Sequence, residues 1–281
     1  MPEFSISCAS ANDIQKVGDW ADEEGWNPGR SDGHAFPIAD PSGFFIGRLD
    51  GEPVTSISAI RYGNDFGFVG LYLTRPAVRG RGYGLQTWRV GMKQLAGRNV
   101  GLDGVVDQQD NYRKSGFRHA WNNIRYDGVP SRVDTPLGVT LIDARTVAFD
   151  QLAAFDRRFF PAAREAFLAA WISLPDRTAL VAVREGRLQG FGVLRAARGA
   201  SRIGPLYASS EDIALSLVGE LAATVGGQPI TIDVPDLNKP SVTLMEQLAM
   251  KPSFEVARMY TGPVPDVDQS GIYAVTSLEL G

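Results

Sequence analysis

The chain has 281 residues, is 44% hydrophobic and 21% charged, and carries a formal net charge of −4 at pH 7. That length suits one large domain or two ordinary ones, and the acidic balance excludes broad affinity for nucleic acid. One cysteine, Cys8, excludes an internal disulfide and suits a reducing compartment; with only two histidines, no metal site is expected. No leader pattern and no apolar run of about 18 residues is present, so a cytoplasmic protein without a membrane partner is expected.

Phe4-Ser5-Ile6-Ser7-Cys8 alternates apolar and polar and predicts a strand, with Cys8 packed in the core. Asn12 or Asp13 is placed to cap a helix with Ile14, Val17, Trp20 and Ala21 on one face, ending near Gly25. A short second helix is expected over 32–38. Residues 44–49, the Asp50-Gly51 turn and residues 53–62 spell a hairpin, followed by a strand at 66–74. Pro76 ends that strand because it has no N–H to donate. Leu85, Trp88, Met92 and Leu95 then recur at helical spacing. A strand at 100–106, a short helix from Asn111 to Ser115 and a closing strand at 118–126 complete the first half.

Where the strand at 66–74 hands over to the helix lies Arg79-Gly80-Arg81-Gly82-Tyr83-Gly84. The first N–H groups of a helix have no internal partner, and the helix dipole places positive charge there. Glycines let an anion approach the backbone, so this turn is a cradle for phosphate oxygens, with Arg79 and Arg81 adding charge. A Walker loop needs Lys-Ser or Lys-Thr where this chain has Leu85-Gln86. A dinucleotide fingerprint needs its third glycine one position later than Gly84.

Arg79-x-x-Gly82-x-Gly84 after an apolar strand and a proline resembles the acyl-CoA pyrophosphate loop of the GNAT N-acetyltransferase superfamily. The element order β-α-(α)-β-β-β-α-β-α-β is similar to that family's over residues 3–128. The resemblance implies an α/β fold with a mixed sheet, acetyl-CoA as co-substrate and no metal. It also implies coenzyme contacts at Tyr72, Leu73, Thr74, Arg79, Gly80, Arg81, Gly82, Tyr83, Gly84 and Asn111, the first three through backbone groups that pair with pantetheine and polarise the thioester carbonyl. Asn111 either holds the pantetheine arm or caps the short helix.

Residues 130–136 read as a linker, dividing a catalytic domain at 1–130 from a second at 137–281. The second half repeats the punctuation of the first. Residues 150–171 read as helical, Glu185-Gly186 turns a hairpin as Asp50-Gly51 does, and the strand 258–262 ends like Tyr126 to Gly128, at nearly the same offset. It resembles the accessory GNAT-like domain of a two-domain bacterial subgroup through Ile203-Gly204-Pro205-Leu206, Asp233-Val234-Pro235, Arg258-Met259-Tyr260 and Ser277-Leu278-Glu279-Leu280-Gly281. No Arg-x-x-Gly-x-Gly occurs in it, and Glu211 and Asp212 would repel a pyrophosphate. A degenerate repeat is expected. It either covers the first domain, forms a homodimer interface, or supplies a wall of the acceptor pocket.

Acetyl transfer to an amine requires proton removal from the amine, an oxyanion site and a proton for the leaving thiolate. Tyr112, four residues before Gly116-Phe117, matches the family tyrosine that points at the coenzyme sulfur, which implies a general acid there. The general base stays open: the strand at 66–74 holds no acid, Asp65 and Asp107 flank the core strands, and an ordered water is an alternative. Glu23, Glu24, Asp32 and His34 lie where the family builds its acceptor pocket, so Glu24, Asp32 and His34 are candidate substrate contacts. The acid-rich stretch 13–32 would favour a cationic small-molecule or peptide amine over an acidic one. Two functions follow: an acetyl-CoA-dependent N-acetyltransferase, or a non-catalytic acyl-CoA-binding or regulatory module.

Overall fold

The computed structural model describes residues 2–130 and 135–281; residues 131–134 of the expected linker lie outside the described residues. The first half runs β1 (Phe4–Cys8), α1 (Ala11–Glu23), α2 (Asp32–Ala39), β2 (Phe44–Leu49), β3 (Glu52–Tyr62), β4 (Phe66–Thr74), α3 (Tyr83–Gln94), β5 (Asn99–Val105), α4 (Gln109–Lys114) and β6 (Arg118–Gly128). The second half repeats this order as β7 (Val139–Asp143), α5 (Phe149–Asp156), α6 (Glu165–Ser173), β8 (Arg177–Arg184), β9 (Arg187–Arg195), β10 (Ser201–Ala208), α7 (Glu211–Ala223), β11 (Ile230–Pro235), α8 (Lys239–Gln247) and β12 (Lys251–Tyr260). A short β13 (Ile272–Ala274) follows.

Local expectations need four corrections. The helix expected over 150–171 is two helices; Pro161, which cannot donate a backbone hydrogen bond, lies in the break. Helix α1 is capped by Ser10, whose side chain accepts from the Asp13 N–H while the Asp13 carboxylate accepts from the Ser10 N–H, a reciprocal capping box. Cys8 is exposed, because it falls on the outward side at the end of edge strand β1. Strand β12 starts at Lys251, well before Arg258, because it pairs along most of β6.

Among the described residues, thirteen strands form one mixed sheet. Its order is β1-β2-β3-β4-β5-β12-β6-β11-β10-β9-β8-β7, with β13 beside β10. Read inward from either edge, each half supplies five strands and then meets the last strand of the other half. The final strands are thus exchanged: β12 lies between β5 and β6, and β6 lies between β12 and β11. Both exchanged seams are antiparallel. Strand β11 is buried along its whole length and reads ITIDVP, the apolar run expected of a strand covered on both faces.

The two halves differ where a cleft can open. Strands β4 and β5 run parallel and pair only from Phe66–Asn99 to Val69–Leu102, after which they diverge. Strands β10 and β11 likewise pair only from Ser201–Ile230 to Ile203–Ile232. There the gap is closed by the chain itself. Strand β13 pairs with β10 at Leu206 and Tyr207, and the Val275 N–H donates to the Asp233 carbonyl of β11 at 3.1 Å. Among the described residues, no helix is long and apolar enough to cross a membrane.

Candidate active site

The open gap between β4 and β5 is a cleft of about 900 Å³. Its floor is set by a bulge in β4. The register with β3 shifts between Ser56 and Ser58, and Leu71 takes a φ of +44°. A non-glycine residue there costs about 1–3 kcal/mol and persists only where its surroundings enforce it. The enforcing contact is local: the buried Ser56 hydroxyl donates to the Leu71 carbonyl at 2.7 Å. Beyond Val69 the β5-side edge of β4 has no β5 partner, and Gly70 through Thr74 line the cleft.

The Gly-rich turn forms the mouth. Residues Pro76–Val78 make a single 3-10 turn, and Gly82 serves as the N-cap of α3 with a φ of +83°. No side chain caps the helix, and its first internal bond is from the Gln86 N–H to the Gly82 carbonyl at 3.2 Å. The N–H groups before Gln86 are therefore free of helical partners. A Cβ at Gly82 would meet nothing within 4 Å, so the space before this terminus is open. The Arg79 guanidinium donates to the Thr74 carbonyl at 2.9 Å and is ion-paired with Glu24.

Tyr112 enters from α4. Its ring centroid lies 5.7 Å from that of Trp88, and Trp88 in turn lies 5.1 Å from Tyr72. On the other side the ring rests on Gly104 of β5, where a Cβ would sit 2.1 Å from the tyrosine ring. Burial, and then the neighbouring Tyr72 hydroxyl, push the Tyr112 phenol up to about 12. The group therefore stays protonated through neutral pH and is a donor.

The cleft gathers most of the expected site residues. Tyr72, Leu73, Thr74, Arg79, Gly80, Gly82, Gly84, Asn111, Tyr112 and Glu24 all line it. Arg81 and Tyr83 do not; the Arg81 guanidinium lies 5.4 Å over the Tyr83 ring, which packs on Phe4. Asn111 sits inside α4, which begins at Gln109, and so does not cap it; its amide donates to Gln108 at 2.8 Å.

Two acceptor-side candidates lie elsewhere. Asp32 is buried and bonded to Arg177 at 2.8 Å and Arg195 at 3.3 Å, guanidiniums from the second half. Burial would raise its carboxyl, but Arg195 and Arg177 together hold it below the usual range. His34 is exposed on α2 and does not reach the cleft. Of the open candidates for a base, Glu23 is engaged by Arg75 at 2.5 Å, and Asp65 and Asp107 are exposed and do not line the cleft.

Among the cleft residues that sequence reasoning did not name as site residues, five bear on the chemistry. Gly104 could have been flagged as a glycine inside an apolar strand. Phe254, Val256, Leu278 and Glu279 come from the second half; Leu278 and Glu279 belong to a stretch that marks the accessory repeat, but nothing local places any of the four in this cleft. They reach the cleft through the exchange of β12 and the path of the C-terminal segment. Among the described residues no cluster of His, Cys, Asp or Glu is arranged to hold a metal ion.

The second half, residues 152–274, matches the family model for an acetyltransferase (GNAT) domain. Along nearly its whole length the chain is also 33% identical to holothin acyltransferase from Pseudoalteromonas sp. strain SANK 73390, over 97% of this chain and 93% of that one. The chain is a GNAT acyltransferase. A putative acetyltransferase from Pyrococcus horikoshii has the same fold, with a TM-score of 0.81 at 22% identity over 99% of this chain and 96% of that one. A tandem GNAT protein from the clavulanic acid biosynthesis pathway superposes with a TM-score of 0.63 at 16% identity, over 93% and 100%. As a GNAT N-acyltransferase the chain takes its acyl group from an acyl-CoA and passes it to an amine-type acceptor. The uncapped α3 terminus, the open approach at Gly82 and the Arg79 guanidinium fit the anionic end of such a donor.

Proposed function

We propose that the chain is an acetyl-CoA-dependent N-acetyltransferase acting on a cationic primary amine, a small molecule or peptide, with one working site in residues 1–130. On this reading residues 137–281 are a degenerate accessory repeat. The observation that carries it is one open cleft that brings Tyr112 together with the Gly-rich turn and the unpaired edge of β4, while the equivalent gap of the second half is filled by β13.

The amine attacks the thioester carbonyl carbon directly. The pyrophosphate rests on the N–H groups that start α3, with Arg79 exchanging Glu24 for phosphate oxygen. Backbone groups from Tyr72 to Thr74 hold the pantetheine arm and polarise the carbonyl. As the carbon–sulfur bond breaks, Tyr112 supplies the proton to sulfur. Glu24 at the mouth favours a cationic acceptor. The 33% identical relative is named holothin acyltransferase, which supports including holothin in the acceptor panel.

Thiol release from acetyl-CoA across a panel of primary amines tests the reading. The expected result is turnover with cationic amines and calorimetric binding of one acetyl-CoA per chain. Two equivalent sites, or no binding, would overturn it.

A further inference from the structure

The segment after β13 does something that neither repeat predicts. Having closed the second gap, the chain runs on to the first and crosses β4. The Gly281 N–H and the Leu280 N–H both bond back to Ser277, at 3.1 Å each, forming a tight turn. The Tyr62 hydroxyl donates to the Leu280 carbonyl at 3.1 Å. The Glu279 carbonyl lies so close to β4 that a Cβ at Gly70 would sit 2.0 Å from it. The turn is thus fixed against the strand whose free edge forms the cleft floor.

Glu279 itself is 3% exposed and lines the cleft. Its Oε2 is buried and has no hydrogen-bond partner among the described residues. Two guanidiniums act on it electrostatically, Arg195 and Arg202. Both are bonded elsewhere: Arg195 to Asp32 and the Gly204 and Thr276 carbonyls, Arg202 to Asp233 and the Trp26 and Asn27 carbonyls. The other buried carboxylate of the cleft, Asp103, is fully engaged by Arg258 at 2.6 Å and by Asn123 at 2.8 Å. An unpaired buried acceptor costs about 1–3 kcal/mol, more when charged, and because Glu279 lines the cleft a donor arriving there, water or a substrate amine, can complete it.

We propose that Glu279 binds the acceptor amine and takes its proton, so that the second half of the chain completes the catalytic centre of the first. The proposal rests on the acyl-transfer reading above. The acceptor arrives as an ammonium and gives one proton to the Glu279 carboxylate, which passes it to solvent; the nitrogen lone pair so freed forms its bond to the thioester carbonyl carbon. The carbon–sulfur bond breaks, and the departing thiolate takes a proton from Tyr112. The second nitrogen proton leaves the tetrahedral intermediate to solvent and Tyr112 regains one from solvent, so that, net, one proton is released to solvent and one has passed from nitrogen to sulfur. This assigns the base that the acid-free β4 strand does not provide.

The test uses the full chain, acetyl-CoA and two small nucleophiles: ethylamine, which is protonated at neutral pH, and hydroxylamine, which is not. In Glu279→Gln, thiol release with ethylamine should fall by about 10²-fold or more, the scale of a lost general base. Release with hydroxylamine should change little, and calorimetric acetyl-CoA affinity should be unchanged. Glu279→Asp should restore part of the ethylamine rate. Equal loss with both nucleophiles would make Glu279 structural, and no loss with either would remove it from the chemistry; both overturn the proposal. Wild-type chain that binds acetyl-CoA but reacts with neither nucleophile also overturns it while leaving the coenzyme reading in place. Absence of acetyl-CoA binding in wild type would instead sink the acetyl-CoA reading itself.

Discussion

Arg125 and Asp233 stand opposite each other across the β6–β11 seam, guanidinium to carboxylate at 2.9 Å. Arg258 and Asp103 are opposite each other across the β12–β5 seam at 2.6 Å. Each pair joins the last strand of one half to the fifth strand of the other. All four side chains are buried. Breaking such a pair by removing one partner leaves a buried charge alone, at a cost of about 3–5 kcal/mol. The seams therefore commit each half to its exchanged strand.

The surroundings of the two carboxylates differ, and this gives a pH prediction. Burial alone would raise the Asp233 carboxyl, but the Arg202 and Arg125 guanidiniums beside it outweigh burial and hold it at about 2. An acid depressed in the folded state stabilises the fold above its unfolded value, near 3.9, and loses that contribution as pH falls toward 2. The contribution is about 2 kcal/mol. Urea unfolding of Asp233→Asn should show a deficit of about 3–5 kcal/mol at pH 7 that narrows as pH is lowered from 5 to 3. A deficit independent of pH would show that the carboxylate charge is not what holds this seam.

Gly104→Ala should lower kcat without abolishing coenzyme binding. The new Cβ would overlap the Tyr112 ring, and Trp88 packs against that ring. The tyrosine hydroxyl is therefore displaced. A shift of about 1 Å at a reacting group costs on the order of 10²-fold, and overpacking costs about 1–3 kcal/mol of stability. Wild-type kcat in a folded Gly104→Ala chain would mean that the position of Tyr112 does not matter to the chemistry.

Gly82→Asp and Gly82→Asn separate charge from backbone strain at the mouth. Both side chains tolerate a left-handed φ better than most, and neither meets an atom within 4 Å of its Cβ. The folds should survive both changes. Calorimetry should show acetyl-CoA binding lost in the aspartate variant, whose charge faces the pyrophosphate, and only weakened in the asparagine variant. Equal affinity in the two would place the phosphates elsewhere.

The fold was legible in the sequence because its signals are local. Asp50-Gly51 and Glu185-Gly186 mark hairpins, and the apolar spacing from Leu85 to Leu95 marks a helix whose bounds fall at Tyr83–Gln94. The tandem order was legible through the same punctuation. The exchange of β6 and β12 was not, because 118–128 and 251–260 mix polar and apolar residues in a way that names no particular neighbour. The site divides along the same line. Loop residues Arg79 to Gly84 and Tyr112 follow from a contiguous motif. Asp32 reads as an acceptor-side acid in an acidic stretch, yet its partners Arg177 and Arg195 are far away in sequence and consume it. Glu279 stands in a stretch that marks the accessory repeat, but its place in the cleft is hidden for the converse reason, since only the threading of the last residues past Gly70 brings it there.

Tyr112→Phe should lower kcat far more than it weakens acetyl-CoA binding. The change keeps the ring, so its packing on Trp88 and Gly104 survives and thermal stability should move little. What is lost is a phenol pushed up to about 12, which at neutral pH is a hydrogen-bond donor and never a base. A donor to the departing sulfur acts in the transition state and contributes almost nothing while the thioester is intact. Loss of a general acid costs about 10²–10⁴-fold in rate, or roughly 3–5 kcal/mol of barrier. The cleft is open enough for water to substitute in part, which favours the lower end. Removal of stabilisation present only in the transition state lowers kcat and kcat/KM together. Steady-state kinetics with varied acetyl-CoA decides the matter. Unchanged kcat with a raised KM would make Tyr112 a binding residue, and unchanged kinetics throughout would make it a packing residue whose hydroxyl is idle.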